Sequence, residues 1–250
     1  MELGVSGWIV TIIAILLTGI SKSGLGGALG GLAVPFMSMW ISPHDAVAVV
    51  LPILIAMDLF GIRAWRGKAD WAELRVLIPA AVLGILLGTL AFGVMSERMV
   101  KGALGLIAVA FALDRLLRRP GVAVAADGRP GAWAWLCGAG AGFTSTLSHA
   151  GGPPLLIYLL GRKLPREVFV ATSVFFFAVI NLAKLPFYIG LGLFSRESLL
   201  MSAILLPLVP IGVRLGMALL ARIPERPFYL FATAMLGLSG LKLLWDALVG

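Results

Sequence analysis

Charge is scarce in this 250-residue chain. Asp, Glu, Lys and Arg make up 13% of it and hydrophobic residues 60%, where soluble domains are about a quarter charged and half apolar. With a mean hydropathy of +1.03, the composition is that of an integral membrane protein embedded in a lipid bilayer. Cysteine is nearly absent. Cys137 stands alone, which excludes an intrachain disulfide and a cysteine-rich metal site. Two histidines without a carboxylate cluster argue against any metal centre. Enzyme signatures are missing too: there is no HExxH, GxSxG, Walker P-loop or GxGxxG, and the glycine run at 24–31 follows no strand. The reading is therefore not an enzyme, with no cofactor. No nucleic-acid motif accompanies the net charge of +8, so no nucleic-acid partner is expected. The basic residues stand instead in short loops between apolar runs, as cytoplasmic loops do. The N-terminus lacks a basic n-region, and no cleaved signal peptide is expected.

What the chain has in abundance is glycine, 31 residues, and proline, 14, and two stretches concentrate them. Gly19–Phe36 and Gly142–Tyr158 share Ser-x-x-Gly-Gly, as Ser23/Gly26/Gly27 and Ser148/Gly151/Gly152. Each interrupts strongly apolar sequence and adds hydroxyls and one basic or titratable side chain, Lys22 or His149. Backbone freed from a helix inside lipid is tolerated where protein or a water-filled cavity surrounds it, and paired breaks in two halves point to a transport site. The competing reading is close helix packing, since Gly26/Gly30 and Gly27/Gly31 are GxxxG pairs. It leaves Lys22 and Pro153-Pro154 unexplained.

The rest of the chain divides around these breaks. Residues 1–114 form a first membrane repeat, 115–131 a cytoplasmic linker rich in Arg, Gly, Ala and Pro, and 132–250 a second repeat. Spans are expected at Ala46–Ile62, Val76–Met95 and Met99–Leu113, then at Val168–Ile189, Ser198–Leu220 and Phe228–Leu248. Asp45 is a candidate cap for the first of these, Ser195-Arg196-Glu197 caps the fifth, and Trp65 and Trp71 are candidate interfacial anchors. The halves align through Gly84/Gly88/Glu97/Arg98 with Gly212/Gly216/Glu225/Arg226, and Asp58 falls near Asn181. If each broken segment crosses the membrane once, the basic residues divide almost evenly between the two sides. If each returns to its starting side as a hairpin, Arg63, Arg66, Lys68 and Arg75 share a side with the 115–130, 161–166 and 222–226 loops, against Arg98, Lys101 and Arg196. The positive-inside rule selects the hairpins. The expected fold is all-α: a polytopic membrane protein of two inverted repeats, each a broken-helix hairpin plus three transmembrane helices, with both termini periplasmic. Inverted repeats suit alternating access.

Ionisable residues inside spans default to function. Lys184 shares a helix face with Asn181 at i, i+3, and the pair suits an anion; the alternative is that Lys184 snorkels to the interface. Half-helix N-termini after Ser23 and Ala150 would offer backbone N–H groups to an anion, with Ser21, Ser23, Thr146 and Ser148 as hydroxyl donors unless they back-bond to helix carbonyls. The expected substrate-binding set is Ser21, Lys22, Ser23, Gly26, Gly27, Ser148, His149, Gly151, Gly152, Asn181 and Lys184. His149 titrates near neutrality and is a candidate proton carrier or a structural donor. Asp58 is a second proton-coupling candidate, or a partner for Arg63 or another helix. Arg214 is a further candidate buried charge.

At these residues the chain resembles the sulfite exporter TauE/SafE family, also described as the toluenesulfonate uptake permease family. The carriers are Gly-Ile-Ser-Lys-Ser-Gly-Leu-Gly-Gly (19–27), Leu-Pro-Ile-Leu-Ile-Ala-Met-Asp (51–58), Ser-His-Ala-Gly-Gly-Pro-Pro (148–154), Ala-Thr-Ser (171–173) and Asn-Leu-Ala-Lys-Leu-Pro (181–186). The resemblance implies a multi-pass transporter of the bacterial inner membrane, with duplicated halves, moving sulfite, organosulfonates or related small organic anions. Joined to the residue reading, it gives a secondary transporter of a small anion, coupled to protons. The other readings are a passive anion channel and a non-transporting scaffold. Lipid-covered apolar surface leaves a homo-oligomer open.

Overall fold

Apolar runs of this length fold as helices because a backbone that meets no water must pair its own N–H and C=O groups. The computed structural model describes residues 4–27, 33–37, 40–91, part of 98–117 and 131–249. Among the described residues the chain is all-helical. The helices are α1 (Gly4–Gly24), α2 (Ala33–Met37), α3 (Pro43–Ala64), α4 (Trp71–Ala91), α5 (Ala132–Ser148), α6 (Gly152–Arg162), α7 (Arg166–Gly190), α8 (Arg196–Leu205), α9 (Leu208–Arg222) and α10 (Glu225–Val249). Four are long and apolar enough to cross a membrane: α1, α3 from His44, α4 and α7. The α8–α9 pair makes a fifth if counted as one bent span. Most of the expected span at 99–113, most of the 115–131 linker, Gly30 and Gly31 lie outside the described residues, as does the side chain of Ser148.

Several local expectations change. The expected span Ser198–Leu220 is two helices meeting at 47°. Pro207 stands at the junction, and a proline has no N–H to carry the ladder onward. Asp45 does not cap α3. Ser42 does, accepting the Asp45 N–H at 3.1 Å while donating its hydroxyl to Asp45 Oδ2 at 2.8 Å. Ser195 caps α8 in a reciprocal pairing with Ser198. Trp71 is half exposed as an anchor should be, but Trp65 is buried, with the Lys68 ammonium 5.5 Å from its ring. Arg214 is exposed on α9, so it is not a buried charge.

The two ends of the bundle differ in charge. A surface groove at one end is lined by Gly67, Lys68, Pro165, Arg166 and Pro224, so the α3–α4, α6–α7 and α9–α10 links share that end. Lys68 also pairs with Glu167 at 2.5 Å. The opposite end holds Arg98, whose guanidinium donates to the carbonyls of Ala247 and Leu248 at 2.7 and 3.0 Å. Between the ends, glycines bring helix axes close enough for backbones to touch, the usual device where lipid supplies no hydrophobic drive for helices to associate. A Cβ on Gly138 would lie 2.8 Å from the Leu77 carbonyl, and one on Gly88 2.9 Å from that of Phe143. Position numbers rise together, so α4 and α5 run parallel. Gly19 meets Gly212 and Gly24 meets Gly216 in the same way, so α1 and α9 are also parallel. Large aliphatic side chains such as Leu90 and Ile211 point outward and are exposed.

Candidate functional site

Glycine ends α1. Gly26 and Gly27 take φ of +63° and +83°, values L side chains reach at a cost of about 1–2 kcal/mol. Space excludes a side chain as well: a Cβ on Gly27 would sit 2.8 Å from the Phe177 ring, and Gly26 faces Phe169 and Ser173. The GxxxG packing reading therefore does not hold for Gly26 and Gly27, which lie beyond the helix. The Ser21 carbonyl accepts from the N–H groups of Leu25 and Gly27 at 2.8 and 3.0 Å. The break falls one turn later than the sequence suggests. Ser21, Lys22 and Ser23 form the last turn of α1 and are buried there, and the next described helix, α2, begins at Ala33.

The second break is tighter. His149 caps α5 in the left-handed conformation, φ 53° and ψ 21°, with its N–H on the Ser145 carbonyl. Gly151 and Gly152 then start α6. A Cβ on Gly151 would come within 2.7 Å of the Ala141 carbonyl, so α6 folds back beside α5. It returns to the end where α5 began. There Arg162 Nε donates to Glu73 Oε1 at 2.5 Å, and the Tyr158 hydroxyl donates to Glu73 Oε2. Glu73 belongs to the first turn of α4, beside the start of the parallel α5. Pro153 and Pro154 bring no N–H to the first turn of α6, so the donors of this N-terminus reduce to those of Gly151, Gly152 and the residues after the prolines.

Two polar clusters meet between the breaks. In one, Lys22 Nζ of α1 stands 2.5 Å from Asp58 Oδ1 of α3, and Asn181 Nδ2 of α7 donates to Asp58 Oδ2 at 2.7 Å. In the other, Lys184 Nζ of α7 donates to Ser145 O at 3.1 Å, to Ser145 Oγ at 2.9 Å and to His149 Nδ1 at 2.8 Å. Three acceptors match the three N–H bonds of an ammonium. The Val47 carbonyl can only accept, so His149 Nε2 carries a proton and donates to it at 3.0 Å; facing an ammonium, which has only donors, Nδ1 accepts and the ring is neutral. Snorkelling is excluded for Lys184, whose exposure is 0%. Asp58 is held by Lys22 and Asn181 rather than Arg63. Lys22, Gly27, Leu54, Ser145, His149, Gly152, Phe177 and Asn181 line a cavity between the clusters. Its volume open to water centres is about 10 Å³, room for about one water, so the site is closed in this state.

The family model described as Sulfite exporter TauE/SafE matches residues 11–243. The chain belongs to the sulfite exporter TauE/SafE family. That membership makes it a membrane transporter of sulfur-containing anions. Neither the curated proteins nor the solved structures contain a match to it.

Of the residues expected at the site of this TauE/SafE member, the structure brings Lys22, Gly27, His149, Gly152 and Asn181 to the cavity wall, with Lys184 and Asp58 one contact behind. Thr146 is not a free donor: its hydroxyl back-bonds to Gly142 at 2.9 Å, and its carbonyl accepts from Tyr188 at 2.7 Å. Sequence reading did not single out Ser145, Leu54, Phe177 or Tyr188. Ser145 had a signal, since it lies four residues before His149 and therefore on the same helix face. Leu54, Phe177 and Tyr188 had none, because an apolar wall residue looks like any other span residue. The family motif Ala-Thr-Ser is structural here. Thr172 accepts the Asp70 N–H at 2.9 Å and Ser173 back-bonds to Phe169.

Proposed function

We propose that this chain is a secondary transporter that moves sulfite, an organosulfonate or a related small sulfur-containing anion across the bacterial inner membrane by alternating access. The observation that carries the reading is Lys184, a fully buried ammonium with neutral partners, beside a closed cavity that a second ammonium, Lys22, also lines. A buried cation without a carboxylate is costly and is retained where an anion is to be held. The backbone N–H of Gly152, at a helix N-terminus, adds a donor for the same charge. Ser21, Ser23, Ser148, Gly26 and Gly151 shape the breaks around this site.

Proton coupling fits His149 better than Asp58. The Asp58 carboxylate is engaged by two donors, whereas the His149 Nδ1 lone pair is what holds Lys184. A proton there would remove that acceptor and free the Lys184 ammonium for an anion.

Reciprocal packing supports two inverted repeats divided near residues 115–131. The glycines of α4 meet the broken helix of the second half, and the corresponding glycines of α9 meet the broken helix of the first. The α4–α5 pair starts at the basic end, and the α1–α9 pair runs toward it. Placing the Arg- and Lys-rich links in the cytoplasm puts the start of α1 and the end of α10 on the periplasmic side.

The test is substrate-driven current and pH change in proteoliposomes of the full chain, with sulfite, sulfoacetate, taurine, sulfate, lactate and chloride. Response to one or two sulfur anions that is lost in Lys184→Ala is expected. Equal response to every anion, chloride included, would make the protein a passive channel. No response from folded protein would overturn transport.

A further inference from the structure

The buried charges around the cavity do not cancel. Lys22 and Asp58 face each other at 2.5 Å and offset one another. Lys184, with its full set of three acceptors, has a serine and a neutral histidine for company. The other fully buried carboxylate among the described residues, Glu73, is committed to Arg162 and Tyr158 at the basic end. With Lys184 protonated, the sum around the cavity is one uncompensated positive charge, contributed by α7. Charges removed from water must be matched by opposite charge close by, or the desolvation penalty is not repaid. The other walls of the cavity carry no carboxylate: Phe177 sets its ring 5.5 Å from Lys22, and Gly27, Leu54 and Gly152 bring no charge.

We propose that the closed site admits one net negative charge. A singly charged sulfonate- or carboxylate-type oxyanion enters as it is, and a doubly charged one enters in company with one proton, carried on His149. The inference rests on the anion-transport reading above and adds a selection rule by charge. His149 is the place for the extra proton because it sits between the uncompensated ammonium and the cavity. The groups that face it are Lys184 and Tyr188 from α7, the Val47 carbonyl of α3 and Ser145 of its own helix, with Lys22 of α1 and Asn181 of α7 on the same cavity wall and Asp58 behind them. A proton on Nδ1 removes the acceptor that Lys184 now uses and leaves its ammonium free to face the cavity. The site then presents two uncompensated positive charges, which a dianion matches. The coupled proton thus makes up the one-charge difference between the site and a divalent substrate. Asp58 sets the count, since it cancels Lys22, and so acts on specificity without being the group that touches the substrate.

The experiment is binding of methanesulfonate, singly charged, and sulfate, doubly charged, to the full-length protein in detergent, followed by thermal stabilisation at about pH 6 and about pH 8. Wild-type protein is expected to bind methanesulfonate equally at both values. Sulfate affinity is expected to fall by up to about tenfold per unit as pH rises, the slope of one linked proton. Asp58→Asn raises the count to two, and sulfate binding should then become independent of pH and exceed that of methanesulfonate. The double variant Lys22→Met with Asp58→Asn removes the ion pair and restores the count to one, so the wild-type pattern should return. It also guards against a misfolded single variant. Sulfate binding that matches methanesulfonate at both pH values, or identical behaviour of the single and double variants, would overturn the charge rule and leave anion transport standing. Folded wild-type protein that binds neither anion would overturn the anion-site reading and the rule with it.

Discussion

The two breaks solve one problem with different chemistry. At the first, the cation sits on the broken helix and its counter-ion on the neighbouring span: Lys22 on α1 faces Asp58 on α3. At the second, the cation sits on the span and neutral acceptors on the broken helix: Lys184 on α7 meets Ser145 and His149 at the end of α5. The offset that pairs Asp58 with Asn181 also relates other positions here, although Ser-x-x-Gly-Gly itself aligns Gly26 with Gly151. Lys22 maps onto Ser145, Gly26 onto His149, Asp58 onto Asn181 and Gly61 onto Lys184. Gly26 and His149 even share the left-handed backbone conformation. One break thus pairs a lysine with a carboxylate and the other holds a lysine among neutral acceptors. The halves are joined where Asn181 donates to Asp58. A shared backbone device therefore carries opposite electrostatic duties once two side chains are exchanged between helices.

The comparison breaks most sharply at the ion pair. Asp58→Ala leaves Lys22 buried without its counter-ion, and removing one partner of such a pair costs about 3–5 kcal/mol. The melting temperature in detergent should fall steeply, and the Lys22→Met/Asp58→Ala double variant should recover much of the loss. An unrecovered double variant would show that the site's stability does not come from charge balance. His149→Ala should cost less, about 1–3 kcal/mol, as one acceptor of a charged donor goes missing, and it should abolish proton movement while leaving the fold intact. Smaller again is the backbone contrast. Gly26→Ala should lose about 1–2 kcal/mol from the left-handed φ, with added loss from the crowding of Phe169. A substitution tolerated at Gly26 would separate it from His149 as a device. The smallest effect belongs to Lys68→Ala. Its pair with Glu167 is half exposed on both sides, and such pairs contribute about 0–1 kcal/mol.

Much of this was legible in the residues. Hydropathy marks the membrane spans because lipid forces internal hydrogen bonding. Ser-x-x-Gly-Gly marks the breaks because Gly26 and Gly27 take positive φ and Gly151 packs directly on the Ala141 carbonyl, and the distribution of Arg and Lys marks which links share an end. Asn181 and Lys184 were recognisable from an i, i+3 spacing. The limits were equally physical. Helix propensity does not say how far α1 runs before it ends, so Lys22 and Ser23 looked like residues of the break and proved to be the last turn of a helix. Pro207 bends a span that Pro79 of α4 leaves continuous, and a proline's effect depends on what packs against the freed carbonyl.

By itself the sequence determined an all-helical membrane protein of the sulfite exporter TauE/SafE family, with breaks at two glycine-rich stretches and buried cations near them. These follow from composition and from local backbone chemistry, which act along the chain. The tertiary structure decided which charges meet. Lys22 could have faced an anion or a carboxylate, and Lys184 could have snorkelled or turned inward. Those choices depend on residues 36 and 39 positions away in sequence, brought together by packing. Electrostatic compensation acts through space over a few ångströms, and only the folded bundle fixes those distances.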